Sequence, residues 1–258
     1  MKKERVECTF PTDPWLHDHA VGGRIILPAV VALEWLAAVV EEQRPDCGIR
    51  CLGRAGFPRF LEVPARETTL PLVIELEEAG EDRVQASLCC RRRRGGMTRL
   101  VEHARVIFGG QAAGDMDRAD EKEVITELSA AEVYNRYVPF GLGWQSLRGT
   151  LRMGRNQARG RVRALETGPA GALGSPFPLD GAMHAACVLG QHLVDYIPFP
   201  VGFERRFIHR ATEPGHEYDV HVRLTGPDRA GLVFDLRIFD AQGQVESVTG
   251  LVMQRVSW

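Results

Sequence analysis

The sequence predicts an α+β fold built from two similar halves, each with an antiparallel sheet wrapped around one long apolar helix. Two strongly apolar segments have the length of a buried helix, and each is followed by about four segments of strand-like alternation. A small, polar stretch without periodicity separates the two sets. An apolar helix cannot face water and an antiparallel sheet needs one face covered, so each helix and its sheet bury one another.

The first helix begins after Pro28, where residues 29–40 are apolar nearly all round, and Pro45 ends it. Proline suits the start of a helix, and a helix that is apolar on every side is a buried one. A glycine hairpin turn is predicted at 94–97. Four strand-like segments follow the helix: 49–63, 69–77, 83–91 and 100–108.

Residues 109–123 are small and polar and read as a linker. We therefore divide the chain into an N-terminal unit (1–110), a linker (111–124) and a C-terminal unit (125–258).

The second unit repeats the plan of the first. It begins with a short helix, 129–137, whose Ser129 and Glu132 have the spacing of a capping box. Two strand-like stretches, 147–153 and 159–165, precede an apolar helix from about Pro178 to Tyr196. Four strand-like segments close the chain: 201–210, 218–224, 232–239 and 245–256. A helix wrapped in this way is a hotdog unit, so the sequence predicts a double hotdog.

The composition narrows the classes of function. The 258 residues carry a net charge of −2, which does not provide the strongly basic face that nucleic-acid binding needs. The longest apolar run, 25–40, contains Pro28 and Glu34 and is shorter than the ~20 residues of a membrane span. The six cysteines have no disulfide-framework or zinc-site spacing, so we expect reduced thiols in a cytoplasmic protein. We expect no membrane span, no nucleic-acid partner and no metal.

The segment before the first helix carries a candidate base. His19, Gly23 and Pro28 fit the pattern H-x-x-x-G-x-x-x-x-P. This spacing places an imidazole and a flexible glycine on a loop that leads into a helix N-terminus, where a base can stand beside amide donors that polarise a carbonyl. The simpler interpretation is a loop histidine beside a turn glycine.

A candidate acid lies at the start of the second helix. Asp180 and His184 are four residues apart, so their side chains share one helix face. The simpler interpretation makes Asp180 a helix cap and His184 a filler.

Together the two motifs resemble the dehydratase domains of polyketide synthases and related fatty-acid synthases, and the resemblance covers essentially the whole chain. That family has a double hotdog fold, a catalytic histidine in H-x-x-x-G-x-x-x-x-P and a catalytic aspartate in D-x-x-x-Q/H. The resemblance implies that His19 and Asp180 are catalytic and that His184 is the helix partner of Asp180. It also implies that the amide of Gly23 binds the thioester carbonyl, with Pro28 in the same motif.

This sequence departs from the family pattern at two places. The family has Y-G-P-x-F before the second sheet, where this chain has Phe140-Gly141-Leu142-Gly143-Trp144, so Phe140 lacks the tyrosine hydroxyl. Tyr137, one helical turn earlier, is the candidate to replace that hydroxyl at the substrate. The leading histidine of H-P-x-x-L-D is Ser175 here.

The resemblance implies dehydration of a β-hydroxyacyl thioester on an acyl carrier protein, in polyketide or fatty-acid biosynthesis. His19 would remove the α-proton, and Asp180, kept protonated by burial, would donate to the leaving hydroxyl. No cofactor is expected, since the thioester acidifies the α-proton and the phosphopantetheine arm belongs to the substrate.

Two alternatives stay open: a cyclase or isomerase like the product-template domains, and a non-catalytic acyl-binding or scaffolding unit of a synthase. The expected partners are the carrier protein, neighbouring synthase domains and a second copy in a homodimer. The arginines at 91–94 are either a solvated turn or a docking site for an acidic carrier.

Overall fold

The computed structural model describes residues 3–110, 124–168, 170–228 and 231–256. The predicted linker lies outside these residues except for Val124. We call residues 3–110 the first half and residues 124–256 the second half. The elements of the first half are β1 (Glu4–Pro11), β2 (Ala20–Val21), β3 (Arg24–Ile25), α1 (Ala29–Gln43), β4 (Cys51–Gly56), β5 (Thr69–Glu78), β6 (Val84–Arg94) and β7 (Met97–Phe108).

In the second half, as in the first, four strands follow the long helix, and an additional strand and a short helix open this half. Its elements are β8 (Thr126–Ser129), α2 (Ala130–Arg136), β9 (Leu147–Met153), β10 (Gln157–Arg163), α3 (Phe177–Gln191), β11 (Phe199–Ile208), β12 (Glu217–Asp228), β13 (Gly231–Asp240) and β14 (Gly243–Gln254). The predicted capping box is confirmed, because Ser129 and Glu132 bond to each other's backbone at the start of α2.

The long strands form one sheet whose order shows the repeat directly. The order is β1-β5-β6-β7-β4 in the first half, continued by β11-β14-β13-β12-β10-β9-β8 in the second. In each half the first strand after the long helix, β4 or β11, lies at the centre of the sheet. Of the next three strands, the first lies farthest from the centre and the third lies beside β4 or β11. β4 pairs antiparallel with β11, for example Phe203 with Ala55, and this pairing joins the halves. The predicted double hotdog is confirmed.

The two long helices are buried against the sheet. In α1, Leu33, Leu36 and Ala37 are fully buried, and every residue of α3 from Phe177 to Gly190 is buried. Pro28 stands immediately before α1, as the sequence predicts. α1 packs on β5, β6 and β7, α3 packs on β9, β10, β12 and β13, and the helices touch each other. A site lined by both helices therefore lies between the halves.

The two largest errors in the predicted boundaries concern one strand and one helix, and four strands, β1, β2, β3 and β8, were not predicted. The strand predicted at 49–63 ends at Gly56, because residues 61–63 turn away and pair with the segment after β3. There Leu27 donates to the Leu61 carbonyl at 2.8 Å, and Val63 donates to the Ile25 carbonyl at 2.9 Å. The segment therefore supports the loop that carries His19.

The second long helix ends at Gln191 rather than Tyr196. At its end the backbone changes to hydrogen bonds of the 3-10 type, in which the His192 N–H donates to the Leu189 carbonyl and the Leu193 N–H to the Gly190 carbonyl. Gly190 lies directly against Pro198, and an added Cβ there would stand 2.8 Å from the proline ring. The chain turns at this point to enter β11.

Among the described residues, no helix is long and apolar enough to span a bilayer.

Candidate active site

A mostly apolar cavity of about 200 Å³ lies between the two halves. The first half lines it with the His19 loop, the start of α1 at Ala29 and Ala32, and part of the segment 57–61. The second half lines it with one face of α3, from Asp180 to Cys187, and with residues 197–200. Both predicted catalytic side chains, His19 and Asp180, therefore line the same cavity.

A short 3-10 helix, Pro14–Asp18, and a tight hairpin hold His19 in place. The His19 backbone N–H donates to the Leu16 carbonyl at 3.0 Å, and its carbonyl accepts from Ile26 N–H at 3.0 Å. The imidazole Nδ1 lies 2.8 Å from the Ile26 carbonyl oxygen. Because a carbonyl can only accept, Nδ1 carries the proton, and Nε2 is left with the lone pair.

Burial lowers the pKa of the His19 imidazole to about 4, although the nearby Asp180 carboxylate acts in the opposite direction. His184 lies close enough to lower the pKa further by charge repulsion. His19 is therefore neutral throughout the physiological pH range. A neutral imidazole with a lone pair on Nε2 can accept a proton.

Aromatic rings from the second half surround the His19 imidazole. Phe140 stacks on it with ring centroids 4.2 Å apart, and Trp144 meets it edge-on at 5.0 Å. The Phe140 ring also contacts the His184 ring, with centroids 5.2 Å apart. Phe140 thus links the two histidines through its ring, although it lacks the hydroxyl that the family pattern carries.

Asp180 is the fourth residue of α3, and it does not cap the helix. Pro176 occupies the capping position, and no side chain caps the first turn. The Asp180 side chain is buried, with 6% of the residue exposed. A buried carboxyl beside a cavity, free of the capping role, is available to a ligand.

His184 lies one turn after Asp180 and is also buried, with 4% exposed. Its Nε2 stands 3.0 Å from Asp180 Oδ2, but the two atoms are not aligned as a hydrogen bond. Neither atom has another hydrogen-bond partner among the described residues. The Asp180–His184 pair therefore keeps hydrogen-bonding capacity beside the cavity.

Sequence reasoning missed the tyrosine that contacts this pair. Tyr134, not Tyr137, places its hydroxyl 3.3 Å from His184 Nδ1, and the same hydroxyl accepts from Leu147 N–H at 2.8 Å. Burial raises the pKa of Tyr134 to about 12, so its hydroxyl stays protonated. The capping box at Ser129 fixes the helix that carries it.

The other predicted site residues have different positions. Tyr137 and Phe140 line the cavity, and the Tyr137 ring stacks on His192. Gly23 is exposed in the turn between β2 and β3, with φ +77°, and Gly22 rather than Gly23 lines the cavity. Pro28 is buried between two lining residues. The assignment of the Gly23 amide to the thioester carbonyl stays a prediction.

The described part of the chain contains no cluster of metal-ligating side chains. Its histidine, cysteine, aspartate and glutamate side chains form no group of three suited to a metal ion. His17 does not line the cavity with His19.

Family models match both halves of the chain. Residues 3–91 match the polyketide synthase dehydratase domain, and residues 113–257 match a model described as the polyketide synthase dehydratase N-terminal domain. A curated relative, polyketide synthase ThaG of Burkholderia thailandensis, is 27% identical over 222 residues, which are 78% of this chain and 4% of that protein. The chain thus spans a small part of this relative.

Solved structures share the fold. A dehydratase domain of a trans-AT polyketide synthase from Brevibacillus brevis has a TM-score of 0.79 at 16% identity, with 99% of this chain and 94% of that chain covered. A monomeric dehydratase domain from a trans-AT polyketide synthase split module has a TM-score of 0.77 at 14% identity, with 99% and 100% covered.

Proposed function

The chain belongs to the polyketide synthase dehydratase family, and from this premise we propose that it removes water from a β-hydroxyacyl thioester on an acyl carrier protein. The product is the α,β-unsaturated thioester, so the reaction class is carbon–oxygen lyase. The observation that carries the proposal is one cavity holding a neutral His19 and a buried Asp180.

His19 acts first in the proposed reaction. Its Nε2 takes a proton from the carbon next to the thioester carbonyl, while Nδ1–H stays bonded to the Ile26 carbonyl. That bond fixes the tautomer and also supports the positive charge that the ring acquires. The thioester itself makes the α-proton acidic, and the reaction as proposed uses no cofactor.

Asp180 completes the elimination. In its protonated form it gives a proton to the β-hydroxyl, and the C–O bond breaks as water leaves. Its Oδ2 has no aligned hydrogen bond within the described residues, so a substrate hydroxyl can take that place. His184 lies beside the carboxyl, and Tyr134 holds the far nitrogen of that histidine.

The proposed partner is an acidic carrier protein that docks at the cavity mouth. Arg59 is exposed and lines the cavity, and the charges of Arg92 and Arg59 both act on the pKa of His103, which also lines it. Arg92 stands directly opposite Arg99 in the β6–β7 hairpin, a like-charge pair that costs stability. An anionic partner would relieve this repulsion. We place the reaction in the cytoplasm, and we propose a homodimer from the family resemblance alone.

The test is a mass-spectrometric assay with a β-hydroxyacyl thioester on a carrier protein. The proposal predicts loss of one water from the acyl chain with time. A ring product would favour a cyclase, and saturable binding without any turnover would favour a non-catalytic acyl-binding unit.

A further inference from the structure

The segment 140–144 belongs to the second half, yet it packs against the loop of the first half that carries Asp18 and His19. Asp18, the residue before His19, makes two of the contacts between them. Its carboxylate Oδ2 accepts from Gly143 N–H at 2.7 Å, and its backbone carbonyl accepts from Gly141 N–H at 2.8 Å. One residue therefore binds the segment at two points.

The fit between Asp18 and this segment is tight. A Cβ added to Gly141 would lie 2.4–2.7 Å from three atoms of the Asp18 side chain, and one added to Gly143 would lie 2.9 Å from Oδ2. Only glycine at these two positions lets the backbone approach the carboxylate so closely. The two glycines of the segment 140–144 therefore leave the space that the Asp18 side chain occupies.

The residues on either side of these glycines are the rings that contact His19. Phe140 precedes Gly141 and stacks on the imidazole, and Trp144 follows Gly143 and meets it edge-on. The indole of Trp144 is also held from the first half, because its Nε1–H donates to the Trp15 carbonyl at 2.9 Å. The position of both rings against His19 therefore depends on where the segment is docked.

We propose that Asp18 is a positioning residue for the dehydration: its carboxylate docks the segment 140–144 so that Phe140 and Trp144 enclose His19 beside Asp180. The inference rests on the proposed function, in which His19 is the base. Asp18 itself points to the segment and does not line the cavity, so it acts through the rings.

The docked rings also explain the electrostatic state of His19. They cover part of the imidazole, and burial is the largest cause of its lowered pKa. The charged or titratable groups that face His19 are Asp180, which raises its pKa, and His184, which lowers it. Releasing the segment would let water reach the ring, and the pKa would rise toward its ordinary value near 6.5.

The test compares Asp18→Ala with Asp18→Asn and with Asp13→Ala. Asn keeps a side-chain oxygen that can accept from Gly143 N–H, whereas Ala removes it. Asp13 precedes the same 3-10 helix and its side chain makes no capping bond, so Asp13→Ala is the matched control. The readouts are the His19 pKa by NMR titration, the melting temperature, and kcat and KM for a β-hydroxyacyl thioester.

We expect Asp18→Ala to raise the His19 pKa by at least about one unit and to lower kcat by roughly 10- to 100-fold, with KM changed less than about threefold. Asp18→Asn and Asp13→Ala should stay within about threefold of the wild type and keep its His19 pKa. Gly141→Ala, which displaces the segment while the carboxylate remains, should reproduce the effect of Asp18→Ala.

Three results would overturn the positioning role. The first is an unchanged His19 pKa in Asp18→Ala, and the second is Asp18→Asn as damaging as Asp18→Ala. The third is an Asp18→Ala variant that does not fold, which would make Asp18 a core residue. The NMR titration needs no turnover, so it decides the positioning role even if the wild type does not dehydrate the thioester.

Discussion

His19 owes its proposed role to the groups that surround it. The Ile26 carbonyl fixes which nitrogen carries the proton, and the rings of Phe140 and Trp144 pack against the imidazole. Phe140 contacts the imidazole with the face of its ring and has no hydroxyl. A ring without a hydroxyl can therefore pack on His19, while the hydroxyl of Tyr134 contacts His184.

The lowered pKa of His19 predicts how activity depends on pH. The base works only when unprotonated, so the fall in kcat/KM that comes from protonation of His19 should be centred near pH 4. A histidine with the ordinary pKa of 6.5 would leave only about one tenth of the activity at pH 5.5. The measurement is kcat/KM against pH with a small thioester that has no titrating group. An acid limb centred near pH 6.5 would contradict this account.

At this scale the sequence predicted which side chains line the cavity better than it predicted the residues that support them. His19, Asp180 and His184 stand in motifs with fixed spacing, and spacing along one chain is visible in a sequence. Tyr134 lies on α2 and Tyr137 directly follows that helix, three positions later, so spacing could not decide which of them reaches His184. The pairing of Asp18 with Gly143 spans 125 positions and leaves no local signal.

At the scale of the element, α3 determines where Asp180 lies, and Gly181 determines how deeply α3 is seated. A Cβ on Gly181 would stand 2.5 Å from Ser146 Oγ and 2.6 Å from a Val162 methyl carbon. Glycine is otherwise a poor helix residue by about 1 kcal/mol relative to alanine. The close approach to Ser146, just before β9, and to Val162 in β10 outweighs that preference.

Gly181→Ala should therefore destabilise the protein although alanine favours a helix. Overpacking typically costs about 1–3 kcal/mol, so we expect a net loss near 1 kcal/mol and a large fall in kcat as Asp180 shifts. Gly48→Ala is the matched control, since its Cβ would meet no atom within 4 Å. Both variants are compared by chemical unfolding and by turnover. Equal stabilities would show that α3 is seated more loosely than described.

The ends of a strand could be predicted where the alternation of apolar and polar residues along the sequence is enough to locate them. The strand predicted at 147–153 is β9 to the residue, because its alternation reflects one buried face. β1 had the same signal in Val6, Cys8 and Phe10, but it lies at the sheet edge among charged neighbours and was not predicted. The end of β4 depends on residues 61–63 pairing with residues 25–27, and a distant partner cannot be deduced from local pattern.

At the scale of the whole molecule, a buried carboxylate connects the two halves. Glu34 of α1 accepts from Leu173 N–H, 139 positions away, at 3.0 Å. Nearby Arg206 is fully buried and bonds Glu246 with two nitrogens, at 2.7 and 3.3 Å. Burial raises the pKa of Glu34 to about 7, although attraction to Arg206 opposes the rise.

This shift predicts a stability that falls with rising pH. Glu34 has a folded pKa of about 7 against 4.5 when unfolded, so its favourable contribution is present below pH 4.5 and is lost as pH rises through 7. Glu34→Gln cannot ionise, so its unfolding free energy relative to the wild type should increase by about 2–3 kcal/mol between pH 5 and pH 8. Glu41→Gln, an exposed change on the same helix, should show no such trend. A pH-independent difference for Glu34→Gln would contradict the shift.

If the carrier protein docks on the β6–β7 hairpin, a change of charge there should affect a carrier-bound substrate but not a small thioester. Reversing Arg92 and Arg99 together to glutamate should raise KM for a carrier-bound substrate by about tenfold at low salt, since rim charges steer encounter. The kcat for a small thioester should not change. Arg155→Glu, at the β9–β10 turn near the far edge of the sheet, is the control. Equal effects on both substrates would mean that the hairpin does not meet the carrier.

The central claim is that His19 and Asp180 act on one substrate between the halves. Its most direct test uses a carrier-bound β-hydroxyacyl thioester labelled with deuterium at the α-carbon and heavy oxygen at the β-hydroxyl. Mass spectrometry should show the wild type releasing one deuterium together with the heavy oxygen. His19→Ala and Asp180→Asn should do so at least about 100-fold more slowly while remaining folded. Retention of both labels by the wild type, or wild-type rates in either variant, would contradict the account.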